Sequence, residues 1–292
     1  MNKKKNSALV VEGGGMRGVF SAGVLNAFGT AGFDPFALYI GVSAGACNLA
    51  AHLAEQHNRN YHVTTAYSAT SRFISLLRFI RGGHYMDLDW LWDITISECR
   101  LDLDRIFSRL KKGKKEYVVV ATSIVTGLPL YLVPDKLTLE HYIKVSSSLP
   151  VLYRTILNVD SIPAMDGGVA DPVPVIEAYK RGAKKIVIIR SRPSSYVKRK
   201  SHLSFLLPFI FRKYPGVTEA MKNRHRVYME AVDFINNPPA GINVYEISLP
   251  EGINISRTTK DMKLLEQVYM AGQRAGNDFI KKNADEIEYK FL

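Results

Sequence analysis

A serine between two glycines is the first feature of this 292-residue chain that could do chemistry. Ser43 lies in the stretch YIGVSAGACN, with Gly41 two residues before it and Gly45 two residues after it. In a nucleophile elbow the serine occupies a strained turn between a strand and a helix, and small neighbours let the chain double back without clashes. An apolar run precedes Ser43 and a helix-forming stretch follows it. The pattern predicts a nucleophilic serine, with an ordinary tight turn as the alternative.

A glycine-rich loop, GGGMRG at residues 13 to 18, follows the first apolar run and has two interpretations. It fits G-x-G-x-x-G, the phosphate-binding turn of dinucleotide-binding proteins. That turn needs an acidic residue closing the second strand, but Asp34 precedes the second predicted strand. The alternative is an oxyanion hole, in which backbone N–H groups stabilise a tetrahedral oxyanion. Its candidate donors are Gly14, Gly15 and Met16.

A general base is the next requirement, because a serine hydroxyl alone is a weak nucleophile. Asp166 is the candidate, since Gly167 and Gly168 follow it and allow its carboxylate to approach another loop closely. An Asx-turn residue is the alternative. Only two histidines, His202 and His225, follow a plausible acid, and both lie in charged stretches where we expect solvated side chains.

The elements that must position these residues indicate an α/β fold. The first third reads as strand, loop and helix, twice over, which predicts a parallel sheet covered by helices. Residues 61 to 115 read as mostly helical, and YVVVATSIVTGLPLYLV reads as a hairpin. Two more strands, KKIVIIRS and INVYEISLP, precede a long amphipathic helix near the C-terminus. We expect one α/β domain with helical insertions.

The composition is that of a globular protein with a basic surplus. The net charge of +12 favours anionic partners such as an acidic substrate or an anionic membrane. Arg17, within the glycine loop, either holds the loop, meets an anionic substrate or is simply solvated. Two cysteines and no Cys/His cluster predict neither a disulfide framework nor a metal site. With no signal-peptide core, we expect a cytoplasmic protein, and no nucleic-acid-binding motif is found.

Two segments combine apolar and basic residues and could touch a membrane. Residues 71–82 place Phe73, Leu76, Leu77 and Ile80 among arginines, and residues 198–213 surround an apolar run with lysines and arginines. Both patterns are typical of a membrane interface. The alternative is that the apolar side chains pack into the core while the cations stay in solvent.

Taken together, GGGMRG, GVSAG, SSSLP and DGG resemble the patatin-like phospholipase family, over about residues 8 to 192, and the chain looks like a bacterial member. The resemblance implies a three-layer α/β/α fold with a mainly parallel sheet and a catalytic domain over residues 8–192. Residues 193–292 would then be a mostly helical part with one strand, packed on the same domain.

The resemblance also implies a Ser-Asp dyad, with Ser43 as nucleophile and Asp166 as general base and without a cofactor. It places Gly13, Gly14, Gly15, Met16, Arg17 and Gly18 in the oxyanion-hole loop. The expected activity is hydrolysis of acyl esters of lipids through an acyl-enzyme, with the head group, the acyl chain and the oligomeric state left open. A non-catalytic membrane- or anion-binding module and a dinucleotide-binding oxidoreductase are the alternatives.

Overall fold

The computed structural model describes residues 6–200 and 207–288. Within these residues the chain forms eight strands and eleven α-helices. The strands are β1 (Ser7–Val11), β2 (Leu38–Val42), β3 (Glu116–Ser123), β4 (Pro129–Leu132), β5 (Leu157–Val159), β6 (Ile162–Asp166), β7 (Lys185–Arg190) and β8 (Asn243–Ser248). The helices are α1 (Val19–Thr30), α2 (Ala44–Leu53), α3 (Arg59–His62), α4 (Leu76–Ile80), α5 (Leu88–Glu98), α6 (Leu103–Gly113), α7 (Leu139–Ser146), α8 (Val175–Lys180), α9 (Leu207–Ile210), α10 (Pro215–Asn236) and α11 (Met262–Glu288).

The strands form one mixed sheet in the order β5-β6-β3-β2-β1-β7-β8, and β4 also pairs with β3. The five strands from β3 to β8 along this order run parallel, whereas β4, β5 and β6 form antiparallel pairs. The central strands are continuous apolar runs because both faces of the sheet are covered. The predicted α/β fold with a mainly parallel sheet is confirmed.

Alternate residues of each central strand enter two separate cores. Leu9, Val11 and Tyr39 pack with α1, α2 and α11 on one face. Val10, Ile40 and Val118 pack with α8 and α10 on the other. Because successive side chains of a strand point to opposite faces, one sheet supports both helical layers. The result is an α/β/α sandwich.

The C-terminal part adds to this sandwich. β8 pairs with β7 in parallel, and α11 lies along α1 so closely that a Cβ on Gly276 would lie 2.9 Å from the Ala27 Cβ. The segment therefore extends the same sheet and covers the same core.

Parallel strands bring their carboxyl ends to one edge of the sheet, where ligand sites of such folds lie. The glycine loop follows β1, Ser43 follows β2, and Ser191 and Arg192 follow β7. Val42 of β2 pairs with Val120, and the next residue of β3, Ala121, pairs with Asp166. The register therefore places Asp166 beside the end of β2.

Candidate active site

Ser43 lies at the sharp turn between β2 and α2, with φ 53° and ψ −124°. A residue other than glycine rarely adopts a positive φ, so the backbone at this turn is strained. The flanking glycines permit it, since a Cβ on Gly41 would lie 2.6 Å from the Ala46 Cα and one on Gly45 would overlap the Val11 carbonyl oxygen. The geometry is that of a nucleophile elbow.

A hydrogen-bond relay holds the elbow in this strained conformation. The Ser43 N–H donates to the Ser146 Oγ at 2.8 Å, and that hydroxyl donates to the Val120 carbonyl oxygen at 2.6 Å. Ser146 is fully buried at the end of α7 and belongs to the SSSLP stretch. The Ser146 hydroxyl therefore supports the turn and is fully engaged by these two hydrogen bonds.

The glycine loop turns back over Ser43 and leaves two backbone donors free. Gly14 and Gly15 donate no hydrogen bond to any residue that the structure describes. The Met16 N–H, by contrast, donates to the Arg257 carbonyl oxygen at 3.1 Å, and the Arg17 N–H donates to the Gly14 carbonyl oxygen at 3.3 Å. Of the three expected oxyanion donors, Gly14 and Gly15 therefore remain, because the Met16 N–H is already engaged.

The other two loop residues have packing roles. Gly13 accepts a hydrogen bond on its carbonyl oxygen from the Ser191 hydroxyl at 3.1 Å, which ties the loop to the end of β7. The Gly18 carbonyl oxygen accepts from Ser21 and Asn48, which joins α1 to α2.

Asp166 ends β6 and is buried beside the elbow. Its Oδ1 accepts a hydrogen bond from the Gly168 N–H at 2.8 Å, and its own N–H donates to the Ser148 carbonyl oxygen at 3.1 Å. Its Oδ2 is buried and has no hydrogen-bond partner among the described residues. One carboxylate oxygen is thus fixed by the DGG turn, and the other is left without a partner.

The Ser43 hydroxyl lies close enough to affect the ionisation of this carboxyl. Burial raises the pKa of Asp166, whereas the Ser43 hydroxyl and the charges of Arg224 and Arg257 lower it, and the net direction is upward. The Oδ2 of Asp166 accepts no hydrogen bond from Ser43 in this structure. Catalytic hydrogen bonds often tighten only when substrate is bound.

Of the two late histidines, the structure describes His225, whose Nδ1 is engaged within its own helix. The His225 Nδ1 contacts the Lys222 carbonyl oxygen at 2.9 Å, within its own helix, and the ring is half-buried rather than fully solvated. His202 lies outside the described residues.

A cavity of about 470 Å³ opens on one side of Ser43, and its lining is strongly basic. Its cations are Arg17, Arg192, Lys198, Arg224 and Arg257, and its carboxylates are Glu12 and Asp166. Arg17 is 3% exposed, which rules out the solvated alternative for its side chain, and its Nε donates to the Ser191 Oγ at 3.4 Å. Of these five cations, only Arg17 lies in a motif that can be recognised in the sequence.

A second cavity, of about 660 Å³, opens on the other side of Ser43 and is mainly apolar. Met16, Val63, Phe73, Leu88, Leu91 and Trp92 are among its lining residues. The two cavities share Gly15, Ser43 and Leu149. Ser43 therefore stands at the junction of a basic and an apolar space.

Asp34 does not complete a dinucleotide site. It lies before β2, at the end of the strand opposite to the glycine loop, and it pairs with Arg109 at 2.6 Å and Lys115 at 2.5 Å. Burial alone would raise the pKa of Asp34, but contacts with His52 and Lys115 outweigh it and hold that pKa well below its usual range. This carboxylate serves a structural ion cluster.

The two basic, apolar segments divide between core and surface. Phe73 and Ile74 are buried, whereas Leu76, Leu77 and Ile80 are 58–72% exposed. Arg78 is not a surface cation, because it donates to the carbonyl oxygens of Arg72, Phe73 and His84. In the second segment Lys198 lines the basic cavity, Phe209 and Ile210 are exposed, and residues 201–206 lie outside the described part.

Within the described ranges, no helix is both long and apolar enough to cross a membrane, and no group of His, Cys, Asp or Glu is arranged to hold a metal ion.

Comparisons with known proteins agree with this geometry. Residues 9–179 match the patatin-like phospholipase family, and residues 214–288 match a domain of unknown function (DUF6363). "Uncharacterized protein YjjU" of Escherichia coli (strain K12) is 34% identical over 282 residues, which cover 94% of this chain and 76% of that protein. The crystal structure of VipD from Legionella pneumophila superposes with a TM-score of 0.51 at 11% identity, covering 95% of this chain and 67% of VipD, and this likeness concerns the fold. Because the family match spans more than half of the sequence, the chain belongs to the patatin-like phospholipase family.

Proposed function

We propose that this protein is a serine acyl hydrolase that cleaves carboxylic esters of lipids through a Ser43–Asp166 dyad. The observation that carries the proposal is a buried Asp166 carboxyl whose pKa is lowered by the hydroxyl of the elbow serine Ser43 and whose Oδ2 has no hydrogen-bond partner among the described residues. A carboxylate in this position can take the serine proton directly, without an intervening histidine. Membership of the family supports lipid acyl hydrolysis in general.

The reaction has two halves. Ser43 Oγ attacks the ester carbonyl carbon while its proton passes to Asp166. The ester C–O bond then breaks, and the same proton goes to the leaving alcohol. Water next attacks the acyl-enzyme, gives a proton to Asp166 and releases the fatty acid, and Ser43 regains its proton. No net charge is gained or lost by the enzyme over the cycle.

Gly14 and Gly15 are proposed to stabilise the oxyanion in both halves. Their N–H groups are free, and they belong to the loop that borders Ser43. Ser43 also precedes α2, whose N-terminus adds a favourable dipole. Removing one donor of this kind costs about 10²–10³ in kcat.

Active-site labelling tests the nucleophile. We expect a fluorophosphonate probe to modify Ser43, and Ser43→Ala to abolish hydrolysis of a nitrophenyl ester while the circular dichroism spectrum stays unchanged. Ser148→Ala is a matched control, because Ser148 is also buried and, among the described residues, its hydroxyl bonds only to the Val145 carbonyl oxygen. Labelling at another residue, or activity in Ser43→Ala, would exclude the mechanism.

We also propose that an apolar face formed by α4 and α9 contacts anionic membranes. Leu76, Leu77 and Ile80 of α4 and Phe209 and Ile210 of α9 are exposed, and both helices border one surface cavity. The side chains of Arg72, Arg81, Arg154 and Arg212 are exposed. Arg154 lines that cavity, and the other three are close in sequence to α4 or α9. Apolar side chains with cations at their margin suit the surface of an anionic bilayer.

Vesicle co-sedimentation tests this contact. We expect the protein to bind vesicles that contain phosphatidylglycerol more strongly than pure phosphatidylcholine vesicles, and the double substitution Leu77→Ser, Ile80→Ser to weaken the binding. Leu137→Ser, which removes a 90%-exposed leucine outside this face, is the control. Equal binding by both variants would refute the contact.

A further inference from the structure

The five cations of the basic cavity lack the carboxylate partners that Arg190 and Arg109 have. Arg190 is fully buried and pairs with Glu246 at 2.8 Å and with the Tyr228 hydroxyl at 3.0 Å. Arg109 is paired with Asp34. None of Arg17, Arg192, Lys198, Arg224 and Arg257 forms an ion pair with a carboxylate among the described residues.

Each of these cations also makes the charged form of its neighbours less favourable. Burial, then the charges of Arg224 and Arg257, lowers the pKa of Lys198 to about 7. Burial, followed by the charge of Arg257, lowers the pKa of Arg224 to about 10. Burial is also the main cause that lowers the pKa of Arg17 to about 10, although Glu12 opposes it. Such a cluster is unfavourable unless an anion enters it.

We propose that this cavity is a binding site for a phosphate group carried by the leaving side of the substrate, built mainly by the region after residue 179. This inference rests on the proposed function and deepens it. With the acyl chain in the apolar cavity and the ester at Ser43, the alcohol portion projects into the basic cavity. A phosphate without a compensating ammonium fits five cations against two carboxylates. The substrate class is then a phospholipid with an anionic head group.

The position of these cations assigns a role to the C-terminal part of the chain. Arg192, Lys198, Arg224 and Arg257 all lie beyond the family match, which ends at residue 179. Arg224 and Arg257 fall within residues 214–288, the domain of unknown function. Arg224 also donates to the Gly168 carbonyl oxygen, and Arg257 accepts the Met16 N–H on its carbonyl oxygen. The C-terminal part therefore completes the active site, and we assign it to the same domain as residues 8–192.

Direct binding of phosphate tests the site without requiring turnover. The protein is the full-length Ser43→Ala variant, titrated calorimetrically with inorganic phosphate and with glycerol 3-phosphate. We expect one site, weakened about tenfold or more when Arg224→Gln or Lys198→Met is added. Lys198 makes no hydrogen bond to the described chain, so its substitution tests the site even if Arg224→Gln disturbs the DGG turn.

Arg226→Gln is the matched control, because Arg226 lies on the same helix but is 66% exposed and pairs with Glu230. Absence of binding, or equal loss in Arg226→Gln and Lys198→Met, would overturn the site. If phosphate binds as expected but no ester is cleaved by the enzyme with Ser43 intact, the proposed function fails and the anion site stands.

Hydrolysis by the enzyme with Ser43 intact distinguishes a lipid head group from free phosphate. Phosphatidylglycerol and phosphatidylcholine with identical acyl chains are compared in the same detergent micelles. We expect a preference for phosphatidylglycerol that falls about tenfold in Lys198→Met. Equal cleavage of the two lipids would overturn the head-group assignment and identify free phosphate as the ligand.

Discussion

The two cavities that meet at Ser43 differ in almost every physical property. The basic cavity is lined by five cations drawn from distant parts of the chain, whereas the second cavity has a mainly apolar surface and is lined mostly by residues between positions 15 and 92. An ester whose two halves differ in the same way would bind in one orientation only. The contrast indicates a division of roles. Ser43 at the elbow is the proposed nucleophile, and the two cavities fix the orientation in which an ester would bind.

Substitution of Asp166, beside the junction of the two cavities, should have the largest effect on activity. Asp166→Asn keeps the shape of the side chain but cannot accept the Ser43 proton, so we expect kcat on any ester to fall by about 10²–10⁴. Measurement of kcat on a short-chain nitrophenyl ester checks this. His225→Ala should retain activity, and a comparable loss in that variant would replace the dyad with a triad.

Filling the apolar cavity should weaken only the binding of a long acyl chain. Val63→Phe adds bulk to the lining of this cavity. If the larger side chain keeps two methylenes of the acyl chain from being buried, kcat/KM should fall about tenfold. We expect kcat/KM for a nitrophenyl octanoate to fall about tenfold relative to the acetate. Val125→Phe, at a 62%-exposed valine in the turn after β3, is the control. An equal fall for both esters would mean that the acyl chain lies elsewhere.

The basic cavity should respond to pH through Lys198. Its pKa is lowered to about 7 by burial and by the charges of Arg224 and Arg257, so it is charged below that pH and neutral above it. We expect KM for phosphatidylglycerol to rise about three- to tenfold between pH 6 and 8.5, and this rise to vanish in Lys198→Met. The other charged groups that face Lys198 are Glu12, Arg17, Arg224 and Arg257. The same rise with a neutral ester would assign it to a different group.

The smallest expected effect concerns stability. Burial raises the pKa of Asp166 above its unfolded value, so the folded state loses stability as the pH rises from the unfolded pKa to the raised one, and the loss is complete above the raised pKa. Asp166→Asn removes this cost, and we expect its Tm at pH 7 to rise by about 2 °C or more. The difference from the unsubstituted protein should close as the pH falls towards about 4, where the unfolded carboxyl becomes neutral. A lower Tm in the variant at pH 7 would indicate that the charge is stabilised in the fold.

The apolar lining of the acyl side could be anticipated in part from the sequence. Phe73 stands in a run of apolar residues that predicts contact with the core or with a membrane, whereas the structure places it in the lining of the cavity. Helical spacing shows which residues avoid water, but it does not show where two helices leave a gap.

The motif residues were accessible to sequence reasoning because their constraints are local. Glycine is required at positions 41 and 45 because a Cβ there would clash at the turn around Ser43. The two glycines and Ser43 lie within five residues, so the requirement is visible in the sequence. The DGG turn likewise fixes the Oδ1 of Asp166 through the N–H of Gly168, two residues away. Local sterics and short hydrogen bonds leave a recognisable pattern in the chain.

The charge of the site, in contrast, was decided by tertiary structure. The sequence determined the alternating strands and helices, the elbow, the glycine loop and a net charge of +12. It did not determine that Arg192, Lys198, Arg224 and Arg257 would converge, because none of them belongs to a motif, and the pattern around Lys198 is typical of a membrane interface or a solvated surface. Parallel pairing of β7 with β1, and of β8 with β7, brings the segments that carry them to the edge of the sheet that holds Ser43. Electrostatic energy depends on distance in space, and only the fold sets the distance between residues so far apart in the chain.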